Sequence, residues 1–178
     1  MKSTSTASRS GMPECRFSAP PEPARRILQM ARYAFEEFHV GQVIEIGQRF
    51  VGPEEIIAFA SQFDPQPFHL SEEAGRNSIY GSLIASGWHT VSIVMRMSCD
   101  AYLLESRSMG SPGVDELRWL KPVRARDTIR ARFEVIDVRP SKSKPDRGIV
   151  VSAWRVFNQH DEIVMTMRGM GLFLRRDA

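Results

Sequence analysis

A chain of 178 residues with 42% apolar side chains can bury a full single-domain core, so its stability requires neither disulfides nor a structural metal. The net charge of +3 is unevenly placed: residues 1–33 carry six basic and two acidic side chains, and the other 145 residues carry 18 and 19. The near-neutral body argues against an extended phosphate-binding face, and so against a nucleic-acid partner.

Residues 1–33 are rich in Ser, Pro and Arg, and read as a disordered basic extension; residues 34–178 read as one domain. No stretch has the apolar core of a secretory signal or the length of a membrane span, so no membrane partner is expected. Cys15 lies in the extension and Cys99 in an apolar helical run. That placement suggests no disulfide framework and points to a reducing, cytoplasmic setting. Zinc-type Cys/His spacing is absent, and no metal is expected.

Along the body, "VGQVIEIGQRF" (40–50) alternates as a strand does. "GPEEIIAFASQF" then starts a helix, with Pro53 suited to its first position and Glu54 and Glu55 to the positive end of its dipole. Next comes "FDPQPFH". Pro65 and Pro67 fix their own φ and push Asp64 and Gln66 into extended conformations. The segment is therefore expected to be a rigid loop, neither helix nor central strand, that holds a carboxylate and an imidazole at a set distance. "SEEAGRNS" opens a short helix with Ser71 as its cap.

Residues 82–105, "SLIASGWHTVSIVMRMSCDAYLLE", are the longest apolar run, with charge only at Arg96, Asp100 and Glu105. They are expected to form a helix buried around its whole circumference and wrapped by a sheet. His89 on that helix is expected to bond a backbone carbonyl. Four strands follow, in "VDELRWLKPV", "DTIRARFEVIDV", "IVVSAWRVFN" and "IVMTMRGMGLFL". In the second, Ile129, Ala131, Phe133 and Val135 share one face. Short turns between strands imply an antiparallel meander, and the whole is an α+β domain.

The segment Ile56–Gly87 resembles the hydratase signature of the MaoC-like family of (R)-specific enoyl-CoA hydratases and acyl dehydratases. Ile56, Phe59, Ala60, Asp64, Pro67, His69 and Ala74 fall at the family's spacing, and the resemblance extends over roughly residues 36–174. It implies the hot-dog fold, in which an antiparallel β-sheet wraps a long helix, and a homodimer. The implied reaction is reversible hydration of a trans-2-enoyl-CoA to an (R)-3-hydroxyacyl-CoA, with no cofactor beyond the coenzyme A carried by the substrate. Asp64 and His69 match the family's catalytic pair, and Gly87 the glycine whose amide polarises the thioester. Such chemistry suits the residue types, because an imidazole and a carboxylate can share proton transfer through one water.

Departures from the family pattern fall on substrate contacts: Gln66 stands where Asn is usual, Ser86 where His is usual, and Met95 where some members carry Ser. Ser92, one turn away, is a candidate substitute. Lys121, Arg124 and Arg126 are candidates for a cationic patch that meets the phosphates of coenzyme A. Two other readings stay open: a hot-dog thioesterase, and a non-catalytic acyl-CoA binder.

Overall fold

A computed structural model describes residues 31–178. Cys15 and most of the expected disordered extension lie outside the described residues. The packed body begins ahead of residue 34, because the Tyr33 amide donates to Glu105 O at 3.1 Å and the Arg107 amide donates to Tyr33 O at 2.8 Å.

The elements in chain order are β1 (Val43–Phe50), α1 (Pro53–Phe63), α2 (Pro67–Leu70), α3 (Glu72–Arg76), α4 (Gly87–Ser98), β2 (Val114–Trp119), β3 (Thr128–Pro140), β4 (Arg147–Phe157) and β5 (Ile163–Leu174). The five strands form one antiparallel sheet in the order β1-β3-β4-β5-β2. The sheet and α4 enclose a core of Phe133, Ile93, Val94, Val150, Val164 and Met165. This is the hot-dog architecture, an α+β fold. The alternation expected in β3 is present, with Ile129, Ala131, Phe133 and Val135 all buried.

Three features differ from the expectation. The meander holds for β3–β5, but β2 pairs with β5 instead of β3. The connection after β2 is no hairpin turn: its amides donate in succession to Val164 O (Lys121), Leu83 O (Ala125) and Val51 O (Arg126), which carries the chain across the fold. Both β1 and β2 are therefore sheet edges.

Second, α4 is shorter than the apolar run. Ser82 lies in a bend and residues 83–86 are non-helical, held by an Ile84–Arg124 bridge and an Ala85 amide bond to Val123 O of 2.8 Å. Beyond Ser98 the helix loosens into a π turn, Cys99–Leu103. It is also not buried all round, since Trp88 is 60% and Met95 50% exposed.

Third, the proline segment does contain a helical turn. Asp64 (φ −152°, ψ 69°) and Gln66 (φ −78°, ψ 138°) are non-helical as expected, but Pro67 then occupies the first position of α2. A proline there loses no helical hydrogen bond, because the first amides of a helix have no partner.

α3 packs against the segment that leads into α4. Gly75 is buried, and a Cβ there would stand 2.4 Å from Leu83 N and 2.5 Å from Ser82 C. Both are backbone atoms with no rotamer to escape into. Gly75→Ala is therefore expected to cost ~1–3 kcal/mol, read as a lower urea midpoint with an unchanged slope.

Candidate active site

His69 is positioned first. It sits on α2 and is 4% exposed, and its Nδ1 lies 2.8 Å from Ile84 O. A carbonyl only accepts, so Nδ1 carries the proton and Nε2 of the neutral ring is a free lone pair. That Nε2 lies 3.5 Å from Asp64 Oδ2. Two proton acceptors thus face each other at a distance that one water, donating to both, can bridge.

Asp64 is held as firmly. The Gln66 amide donates to its Oδ1 at 2.8 Å. Hydrogen bonding from the Ser86 hydroxyl, then from Gln66, holds its carboxyl below the usual carboxylate range, and the nearby His69 adds to the effect. Asp64 is accordingly a carboxylate at neutral pH. Gln66 and Ser86 were expected to meet substrate; Gln66 lies in the wall of the cavity that Asp64 and His69 also line while its side chain donates to Asp64, and Ser86 is buried at the start of α4. Ser86 is fully buried, and its Oγ also accepts from the Trp88 amide at 3.2 Å, capping α4. A hydroxyl has one proton and free lone pairs, so it serves both partners at once.

Gly87 begins α4, where backbone amides are unpaired and the helix dipole is positive. Among the described residues the Gly87 amide meets no acceptor. Asp64, His69, Gly87, Thr90, Trp119 and Lys121 all contribute to the wall of one open cavity of about 500 Å³. A carboxylate, an imidazole lone pair and a helix N-terminus thus converge on one space, an arrangement that can move a proton and stabilise an oxyanion.

The remaining expected contacts are dispersed. Ser92 donates from an exposed position to Trp88 O at 2.8 Å, and is in the wall neither of this cavity nor of the apolar one beyond the first turn of α4. Lys121 is in the cavity wall and pairs with Glu162. Arg124 donates to Tyr80 O at 2.6 Å and to the Ser82 hydroxyl, and Arg126 pairs with Glu72 at 2.8 Å. These two arginines brace the 72–82 loop and do not form a free cationic patch with Lys121.

Sequence reasoning missed the cavity's aromatic wall. Trp119 lies 32 positions from Gly87, yet its Nε1 donates to Gly87 O at 3.0 Å, and its ring meets Trp88 edge-on with 5.5 Å between centroids. No local spacing signals that contact, which the β2–β5 pairing creates. Beyond the first turn of α4, a second cavity of about 340 Å³ is lined by mostly apolar groups, including Val91, Met95, Ser98, Phe133, Met167 and Gly169.

The profile of the MaoC like domain matches residues 35–153. The chain belongs to the MaoC-like dehydratase family. A MaoC-like dehydratase from Rhodospirillum rubrum is 39% identical, with 80% of this chain and 97% of that one covered and a TM-score of 0.74. A protein described as the monoamine oxidase regulatory protein from Archaeoglobus fulgius is 31% identical, covering 82% and 98% at a TM-score of 0.73. An (R)-hydratase from A. caviae involved in PHA biosynthesis shares the fold at 24% identity, covering 76% and 97% at a TM-score of 0.64. The MaoC-like chain described here thus has the fold and the family of hydratases and dehydratases.

His89 differs from its expected role in this MaoC-like domain. It is buried, its Nδ1 has no hydrogen-bond partner, and its ring stacks on Phe59 at 4.7 Å and 13°. Burial pushes its pKa below the ordinary histidine value; Glu55 opposes that shift, while Arg49 and His69 add to it. The folded state therefore binds this proton less readily than the unfolded chain. Stability from His89 is full above the unfolded pKa of about 6.5 and is lost as pH falls towards the lower folded value. His89→Phe is expected to flatten this acid loss, by at most ~1.4 kcal/mol per pH unit, in urea titrations between pH 7 and 5.

Proposed function

We propose that the protein adds water reversibly to a trans-2-enoyl-CoA, giving the (R)-3-hydroxyacyl-CoA. The observation that carries this reading is the pair Asp64 Oδ2 and His69 Nε2, 3.5 Å apart in one cavity with the start of α4. A water donating to both acceptors is oriented with its own lone pair outward. Its oxygen bonds to C3 as His69 Nε2 takes a proton. The C2–C3 π pair moves towards the thioester oxygen, where the Gly87 amide stabilises the developing enolate. The imidazolium then returns a proton to C2, and the thioester carbonyl re-forms. Asp64 orients the water, shares the proton transfer and stabilises the charged ring. Holding both side chains on rigid backbone avoids an ordering cost at each turnover.

Coenzyme A enters as part of the substrate, and this chemistry calls on no metal or redox cofactor. Lys121, in the cavity wall, is proposed to meet the substrate's phosphates. The second cavity offers apolar space for an acyl tail. The reading includes a homodimer: β2 is a sheet edge, and exposed Val114, Trp119, Trp88 and Met95 lie on β2 and α4.

Purified protein is expected to bleach the enoyl-thioester absorbance of crotonyl-CoA and form the R product. His69→Ala and Asp64→Asn should each lower kcat/KM by ~10²–10⁴-fold. Thiol release from a saturated acyl-CoA would favour a thioesterase instead. A CoA ester bound unchanged for hours, with longer and branched enoyl-CoAs also untouched, would favour a non-catalytic binder.

The tail assignment has its own test. Ser98→Phe fills the second cavity, so it should reduce kcat/KM for an eight-carbon enoyl-CoA by about tenfold or more, the scale of one to two methylenes of lost pocket contact. Crotonyl-CoA turnover should be nearly unchanged.

A further inference from the structure

Gly87 has a steric role besides its amide. A Cβ at that position would stand 2.5 Å from Trp119 Cε2 and 2.8 Å from Cδ2 and Cζ2. The space over the Gly87 Cα is therefore filled by an indole ring and is not open to substrate. That ring is fixed at its base. Trp119 pairs with Met165 at the end of β2, and the next two amides, Leu120 and Lys121, both donate to Val164 O at 2.8 and 3.2 Å. Its single donor, Nε1–H, is directed at Gly87 O.

We infer that Trp119 is a positioning residue of the active site, bracing the first turn of α4, and with it the Gly87 amide, from the end of edge strand β2. The inference rests on the hydratase reading for its catalytic consequence, though not for the contact itself. A glycine at a helix start has more conformational freedom than any other residue. Here it is pinned on two sides. On one side the Ser86 hydroxyl, on the preceding residue, accepts from the Trp88 amide, and on the other Trp119 clamps the Gly87 carbonyl. Stabilising an oxyanion depends on donors that are already in place when charge develops. A brace on Gly87 supplies that, and it makes the sheet edge part of the catalytic geometry.

The test separates bracing from simple packing. Trp119→Phe keeps a ring over Gly87 and removes the N–H. Expected are a fall in kcat of about tenfold, within the range for sub-ångström misplacement, a KM within twofold of wild type, and faster amide hydrogen exchange at residues 87–90. Unchanged kcat and exchange would overturn the inference. So would a raised KM with kcat intact, which would make Trp119 a wall for substrate.

A thermal double-mutant cycle reads the contact without any turnover. Gly87→Ala should lower Tm in the wild-type background and have little further effect in Trp119→Ala. Equal cost in both backgrounds would show that the glycine does not serve Trp119. If wild-type protein hydrates no enoyl-CoA, the functional reading fails, while exchange and the cycle still decide the brace.

Discussion

The candidate site depends on one hydrogen bond, from His69 Nδ1 to Ile84 O. It joins the proline loop to the non-helical segment that enters α4, across 15 residues of chain. It also fixes the tautomer, and so decides which nitrogen is free to act as a base. Without it, the imidazole could rotate or take the other tautomer, and the arrangement with Asp64 would lose its meaning. Much of the surrounding structure holds the two ends of that bond in place. Ile84 N donates to Phe68 O at 3.3 Å, Gly75 sits against the Ser82–Leu83 backbone, and Arg124 ties Tyr80 and Ser82 to the far side of the fold.

The electrostatics of the site follow from the same economy of parts. Asp64 accepts a hydrogen bond from Gln66 and remains ionised, with Nε2 of His69 3.5 Å away. Asp64 is only partly buried, so water and the Gln66 donor share in stabilising its charge. The cations near the cavity are paired in their turn, Lys121 with Glu162 and Arg126 with Glu72. They work first as ties between loops and strands.

Much of this was legible in the sequence, wherever the signal was local. The start of α1 at Pro53, the Ser71 cap, the alternation in β3 and the non-helical backbone at Asp64 and Gln66 all follow from rules acting within a few residues. The pairing of Asp64 with His69 was legible because five positions of constrained backbone leave few distances to choose from. Contacts set by topology were not legible. The partner of β2, the destination of Arg124 and Arg126, and the contact of Trp119 with Gly87 depend on how distant segments cross. The true start of α4 lay between these cases: the apolar run continues through Ser82–Ser86, but sheet bridging at Ile84 and the Ser86 cap override its helical periodicity.

The Ser86 hydroxyl takes part in two structures at once. Its oxygen accepts from the Trp88 amide where the central helix begins, and hydrogen bonding from the hydroxyl lowers the pKa of Asp64. The start of α4 and the acidity of Asp64 therefore draw on one side chain. Replacing Ser86 by alanine would remove a helix cap worth about 1 kcal/mol and a donor that acidifies Asp64 in the same step. In this chain the acidity of the site and the origin of α4 are inherited together.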